Sequence, residues 1–114
     1  MSKESVALLS LSVVLTGAVA PHRFVTPLGA QAGADAQTLG VSKTAGTVGR
    51  LLTVDVIGTS AVETGAAIAV GQVLKVDAAG RAIPWATAGA RVAIALQAAT
   101  GAGQFIEVLL VPNA

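Results

Sequence analysis

Between Gly65 and Val111 the sequence repeats one cadence, a valine- or leucine-rich run of strand length, a glycine-bearing turn, and another such run. AVGQVLKVDAAGRAIPW and ARVAIALQAATGAGQFIEVLLV both follow it. Short apolar runs bounded by turn residues predict antiparallel strands rather than helices. Ala86 to Gln97 is alanine-rich, yet Gly89 and the alternation of Val92, Ile94 and Leu96 favour a strand there too. The predicted fold class is all-β, a small antiparallel β-barrel or sandwich of β-tulip or jelly-roll-like form, and 114 residues give room for one domain.

The same reasoning places the individual elements. Arg23 to Thr26 is a short strand ended by Pro27 and Gly29, and Gly29 to Gln37 is too rich in Gly and Ala to predict anything but a surface loop. Thr38 to Ser42 returns to the sheet. Arg50 to Ile57 is predicted as a strand with Leu52, Val54 and Val56 on one face and Leu51, Thr53 and Asp55 on the other. Glu63 to Ala67 reads as a turn, Gln72 to Val76 as a strand, and Asp77 to Gly80 as a tight hairpin turn in which glycine supplies the positive φ. Pro84 lacks an amide donor, which predicts an edge position for the strand Arg81 to Trp85. Val92 to Leu96 and Phe105 to Val111 complete the set.

The first twenty residues admit two readings. Lys3, an apolar run and Ala18-Val19-Ala20 imitate a secretory signal with its cleavage site. Against this, Glu4 cancels Lys3 and Pro21 would follow the cut directly. Leu9, Leu11, Val13 and Leu15 alternate with Ser10, Ser12 and Thr16, which predicts a half-buried strand with one apolar face. The run is also short of the roughly 20 apolar residues that span a bilayer as a helix, and no membrane association is expected.

Composition narrows the chemistry. Hydrophobic residues make up 54% of the chain and aromatic ones 3%, so the core must be built from Val, Leu, Ile and Ala. Charged residues are only 11%, too few to keep a freely diffusing domain apart from its neighbours, which points to self-association or docking on something large. A net charge of +1 and three aromatics, Phe24, Trp85 and Phe105, carry no nucleic-acid footprint. There is no Cys and no Tyr, and His22 is the single imidazole. Nothing marks a partner that would make His22 a base, so a turn cap or a subunit contact is expected of it. Asp35, Asp55, Glu63, Asp77 and Glu107 are far apart in sequence without a metal-loop signature, and no cofactor is expected. Lys75 lies inside VLKVD before the turn rather than at its tip, where a carrier lysine would sit, and is predicted on a sheet surface. Gly101-Ala102-Gly103 is followed by a strand and not by the helix that a phosphate site needs. Trp85 is either the main filler of one end of the core or an interface anchor.

Three stretches in order, LLSLSVVLTGAVAPHRFVTPLGAQ, LGVSKTAGTVGRLLTVDVIGTSAVETGAAIAVGQVLKVDAAGRAIPW and VAIALQAATGAGQFIEVLL, span most of the chain. In their order and spacing they resemble the capsid cement, or head decoration, proteins of tailed bacteriophages. The resemblance implies a β-rich domain on the outer surface of the virion head that braces neighbouring major capsid subunits, as a homotrimer ahead of a homodimer. It brings no catalytic motif, and no enzymatic role is expected. Partner contacts are expected at Leu9, Leu11, Val13 and Leu15 of an amino-terminal strand or arm (residues 1–16), and at Arg23 and Trp85. Arg23, Arg50, Arg81 and Arg91 are expected to be solvated, with one or two of them pairing with capsid carboxylates as the resemblance implies. A secreted or periplasmic β-domain and a small-ligand-binding barrel with an enclosed pocket are the alternatives.

Overall fold

The computed structural model describes residues 6–86 and 88–111. The first five residues of the expected arm, Lys3 and Glu4 among them, lie outside that set. The described chain forms eight strands: β1 (Ala7–Val14), β2 (Phe24–Val25), β3 (Gly40–Ser42), β4 (Leu51–Glu63), β5 (Val73–Val76), β6 (Ala82–Pro84), β7 (Ala93–Ala95) and β8 (Phe105–Leu110). They pair antiparallel in the order β2-β3-β4-β8-β7-β5-β6, with β1 added to β4 outside this path. A parallel bridge from Thr64 to Ala82 brings β6 back to the residue that follows β4, so that the sheet nearly closes into a barrel.

The spine is β4. Its first part pairs with β1 through Leu52↔Val13 and Val54↔Leu11 and with β3 through Asp55↔Val41. Its last part, Thr59 to Glu63, pairs with β8. Between the two lies Gly58 at φ +109, where an added Cβ would land on the carbonyl oxygen of Val6. Only glycine combines that dihedral with such close backbone approach. The ladder with β1 shifts register on both sides of Leu9, which bends the strand at the same level. Glu63 therefore ends a strand, where local composition suggested a turn starting at that residue. The pairing of Ser60, Ala61 and Val62 with Val108, Glu107 and Ile106 supplies the ladder that the local sequence does not announce.

The Asp77–Gly80 turn forms as expected. Gly80 takes φ +78, Val76 pairs with Ala82, and the Asp77 carboxylate accepts from the amides of Ala79 and Arg81 at 2.9 and 2.8 Å. Strand β6, with its Pro84, ends the strand order. The interior is aliphatic: Val62, Leu74, Val76 and Val108 are fully buried around Phe24 in the larger cluster. A smaller one gathers Leu15, Val19, Val25, Leu52 and Val54 beneath the β1–β4 pair. The loop between β2 and β3 is less free than its composition implied, since Ala32 is buried and its amide donates to Phe24 O at 2.9 Å.

Candidate functional site

Strand β1 has β4 as its only strand partner among the described residues, and its other edge is open up to Val14, where Gly29 closes on it and accepts from the amide of Thr16. The register sets Leu11 and Val13 opposite Val54 and Leu52, the face that carries the smaller core cluster. Along that face burial fades from one end to the other. Leu15 is 1% exposed and packed wholly within the chain, Val13 lies against the cluster, and Leu11 and Leu9 are 41% and 42% exposed. The half-buried strand expected from the alternation is thus covered only towards its carboxy-terminal end. Leu15 has no surface left to offer, while Leu9 and Leu11 extend the core outwards without a cover.

The other face of this pair holds a polar cluster that sequence analysis missed. Asp55 was expected on the face opposite Leu52 and Val54, where it lies across from Ser10, and it is fully buried there. Its carboxylate accepts from Ser10 Oγ at 3.0 Å and from Ser60 Oγ at 3.1 Å, and pairs with Lys43 Nζ at 3.3 Å. Burial of a carboxylate is tolerated where hydroxyls and a cation take up its oxygens. These partners lie 5 to 45 residues away in sequence, and only strand register brings them together.

Arg23 is committed inside the chain. Its Nη1 donates to Ala79 O at 2.7 Å and its Nη2 to Glu63 Oε1 at 3.0 Å, and its Nε is buried without a partner. Arg81 reaches Asp77 at 3.0 Å and Glu63 at 3.9 Å. Together they lock the Asp77–Gly80 turn to the end of β4. Lys75 is held at 2.9 Å by Asp35 and donates to Ala88 O, so its amine is not simply solvated. His22 sits in the turn before β2, its Nδ1 3.3 Å from Ala61 O and its ring edge-on to Phe105 with centroids 5.3 Å apart.

Trp85 does not fill the core. It lies half-buried, its Nε1 donating to Gly89 O at 2.9 Å and its ring covered by the Arg91 guanidinium at 4.3 Å. An exposed cation–π contact of this kind contributes about 0.5–1 kcal/mol. Trp85→Ala is expected to cost about 1–2 kcal/mol, against about 3–5 for truncating a buried ring. Thermal unfolding of the variant measures this, and a loss in the larger range would mean that the ring carries core packing.

The interior between the strands is occupied by the side chains of the larger cluster. Hollows occur at the surface: one, open to solvent, runs along Thr44 to Thr47 and Arg50 to Leu52. No group of three or more His, Asp or Glu with metal-holding geometry occurs among the described residues.

An aliphatic interior, ion pairs within the chain and aliphatic side chains left in water together describe a small antiparallel β-domain. The model of the phage cement protein family matches residues 5–110, and the chain belongs to that family. It is a structural protein of the phage virion, associated with the capsid, and structural rather than enzymatic in kind. Its fold is similar to that of the head fiber gp8.5 N base of bacteriophage phi29, with a TM-score of 0.71 and 18% identity over 90% of this chain and 93% of that one. No curated protein sequence matches the chain.

Proposed function

We propose that this protein decorates the outer surface of a phage head, where copies of it associate through β1 as a closed ring, a trimer ahead of a dimer, and brace neighbouring major capsid subunits. The observation that carries this is the uncovered end of the β1 face. Leu9 and Leu11 continue a packed core into solvent on a strand whose outer edge is open. A neighbouring strand set there gains backbone hydrogen bonds along with apolar burial. The mechanism is linkage: a protein that binds only the assembled lattice lowers the free energy of that state and so opposes loss of subunits. Nothing in it requires a reaction, and the scattered, internally paired carboxylates support a purely mechanical role.

Purified protein is expected to co-sediment with heads that lack it. Decorated heads should retain their genome to higher temperature, and through harsher osmotic stress or chelation, than bare ones. His22→Ala should leave that protection nearly intact, since the ring is engaged by Ala61 and Phe105 of its own chain. Equal stability of bare and decorated heads would end the proposal.

A further inference from the structure

Glu107 is the exception among the described carboxylates. Asp35, Asp55, Glu63 and Asp77 each face a lysine or arginine of the chain, whereas Glu107 is 4% exposed and no ion pair reaches it among the described residues. Its backbone is held, Glu107 N donating to Gln97 Oε1 at 2.8 Å and Leu96 N donating to Glu107 O, but its carboxylate takes no hydrogen bond among the described residues. Desolvating a carboxylate without a cation or donors is unfavourable, and a charge brought from outside would compensate it. The alternation of β8 gives the direction from which such a charge comes. Ile106, Val108 and Leu110 enter the interior, so Phe105, Glu107 and Leu109 share the outward side. Phe105 and Leu109 are both 40% exposed, and the apolar row runs on sideways from Leu109 through Ile94 to Val73.

The opposite charge stands in similar company at the other end of β4. Arg50 makes no ion pair among the described residues. Its backbone is fixed, Leu15 N donating to Arg50 O at 2.9 Å. Beside it in sequence are Val48 and Leu51, 67% and 69% exposed, and Leu51 pairs with Val14, 57% exposed. Glu107 lies opposite Ala61, near the far end of the same strand. At a rise of about 3.3 Å per residue the two charges are roughly 30 Å apart, in a domain whose longest dimension is 36 Å. No arginine side chain spans that distance, so within one copy the two cannot meet.

We infer that Arg50 of one copy pairs with Glu107 of a second copy, seating the Val14–Leu51 end of the β1–β4 pair on the outward side of β8. Charge and apolarity match on both surfaces: a cation among aliphatics meets a carboxylate among apolar side chains, and each finds the partner that its own chain lacks. Apolar contact around the pair removes the water that would screen it. Because the two sites lie at opposite ends of β4, every copy gives one contact and receives one, the head-to-tail relation from which a ring closes. The inference rests on the proposed ring of copies and names the surface that receives the β1 side.

The chain has no cysteine, so a disulfide placed across the contact reads it directly. Leu51→Cys/Leu109→Cys changes one exposed side chain near each charge, and the protein is oxidised both bound to heads and free in solution. Linked dimers and trimers are expected from the double variant, and none from Leu51→Cys or Leu109→Cys alone. A second arm follows self-association by light scattering for wild type, Arg50→Met, Glu107→Gln and the two combined, with thermal unfolding to show that each is folded. Each single variant should weaken association by about 30-fold or more, the effect of removing one partner of a desolvated pair, and the combined variant should be no weaker than either. The disulfide arm keeps both charges, so it holds even where Glu107→Gln fails to fold. Wild type bound to heads with no linked species in either setting would show that these faces do not meet, and would leave decoration standing. Dimers from Leu51→Cys alone would mean that this end packs on its own counterpart, and losses from Arg50→Met and Glu107→Gln that simply add would mean that the two charges meet different partners; either result overturns the inference. If wild type does not bind heads, decoration fails, and the linked species in solution decide this contact by themselves.

Discussion

Replacing Gly40 by alanine is expected to destabilise the domain by about 3 kcal/mol, the upper part of the range for forced overpacking. Gly40 is buried in β3, between its neighbour Val25 in β2 and the backbone of β4. An added Cβ would land on the carbonyl oxygen of Asp55, with the carbonyl carbon 2.7 Å away and Val54 Cγ1 at 2.9 Å. The first two are backbone, which cannot step aside as a side-chain tip does. Strand β3 must lift from β4, and the pairs Val41↔Asp55 and Ser42↔Val54 go with it. For a chain of this size the loss lowers the midpoint of thermal unfolding by roughly 10 °C or more. Gly101→Ala is the control, since its added methyl meets nothing within 4 Å. A Gly40→Ala protein that melts with wild type would show that β3 is held less closely than the structure has it.

Asp55→Ala comes next in size, at about 2–4 kcal/mol. The substitution removes the acceptor of two hydroxyls, and it leaves the Ser60 hydroxyl buried and unpaired, at the desolvation cost of such a group. Lys43 loses its partner more cheaply because its amine reaches water. The effect has a location as well as a size. Ser10 belongs to β1, so losing its bond to Asp55 loosens that strand first, and amide hydrogen exchange should quicken in Ala7–Val14 well before β8 responds. Ser10→Ala alone should reproduce part of the quickening, and a double-mutant cycle between the two positions should show coupling. Uniform quickening across the sheet would mean that Asp55 supports the whole fold and not the attachment of β1.

What sequence revealed and what it concealed divide along the distance over which the chain must cooperate. The Asp77–Gly80 turn, the edge position of Pro84 and the strands around Val54, Leu74, Ile94 and Val108 follow from alternation and turn chemistry within a few residues. The run of β4 past Gly58 to Glu63 does not, because Gly58-Thr59-Ser60 looks like a break until β8 is set beside it. Alternation set Asp55 on the face opposite Val54 but gave no sign of its burial, since its hydroxyl and ammonium partners are visible only once register is known. Trp85 offered size without position, and its ring turned out to rest under Arg91 rather than in the interior. For the candidate surface, alternation picked out Leu9 and Leu11 but could not say that cover would stop at Val13.

The continuity of β4 has a mechanical consequence. A load applied near Leu51 reaches Glu63 along one unbroken covalent backbone. The ladders to β1, β3 and β8 lie across that direction, so tension along the strand strains their hydrogen bonds in shear, many at once, and not one after another as in peeling. Such an arrangement yields abruptly at a high force rather than gradually at a low one. Tension applied across the sheet meets the opposite case at β1, which can be unzipped from its open edge pair by pair. The domain is therefore strong along one axis and weak along another, and the angle at which it is pulled decides whether it behaves as a tie rod or as a seam.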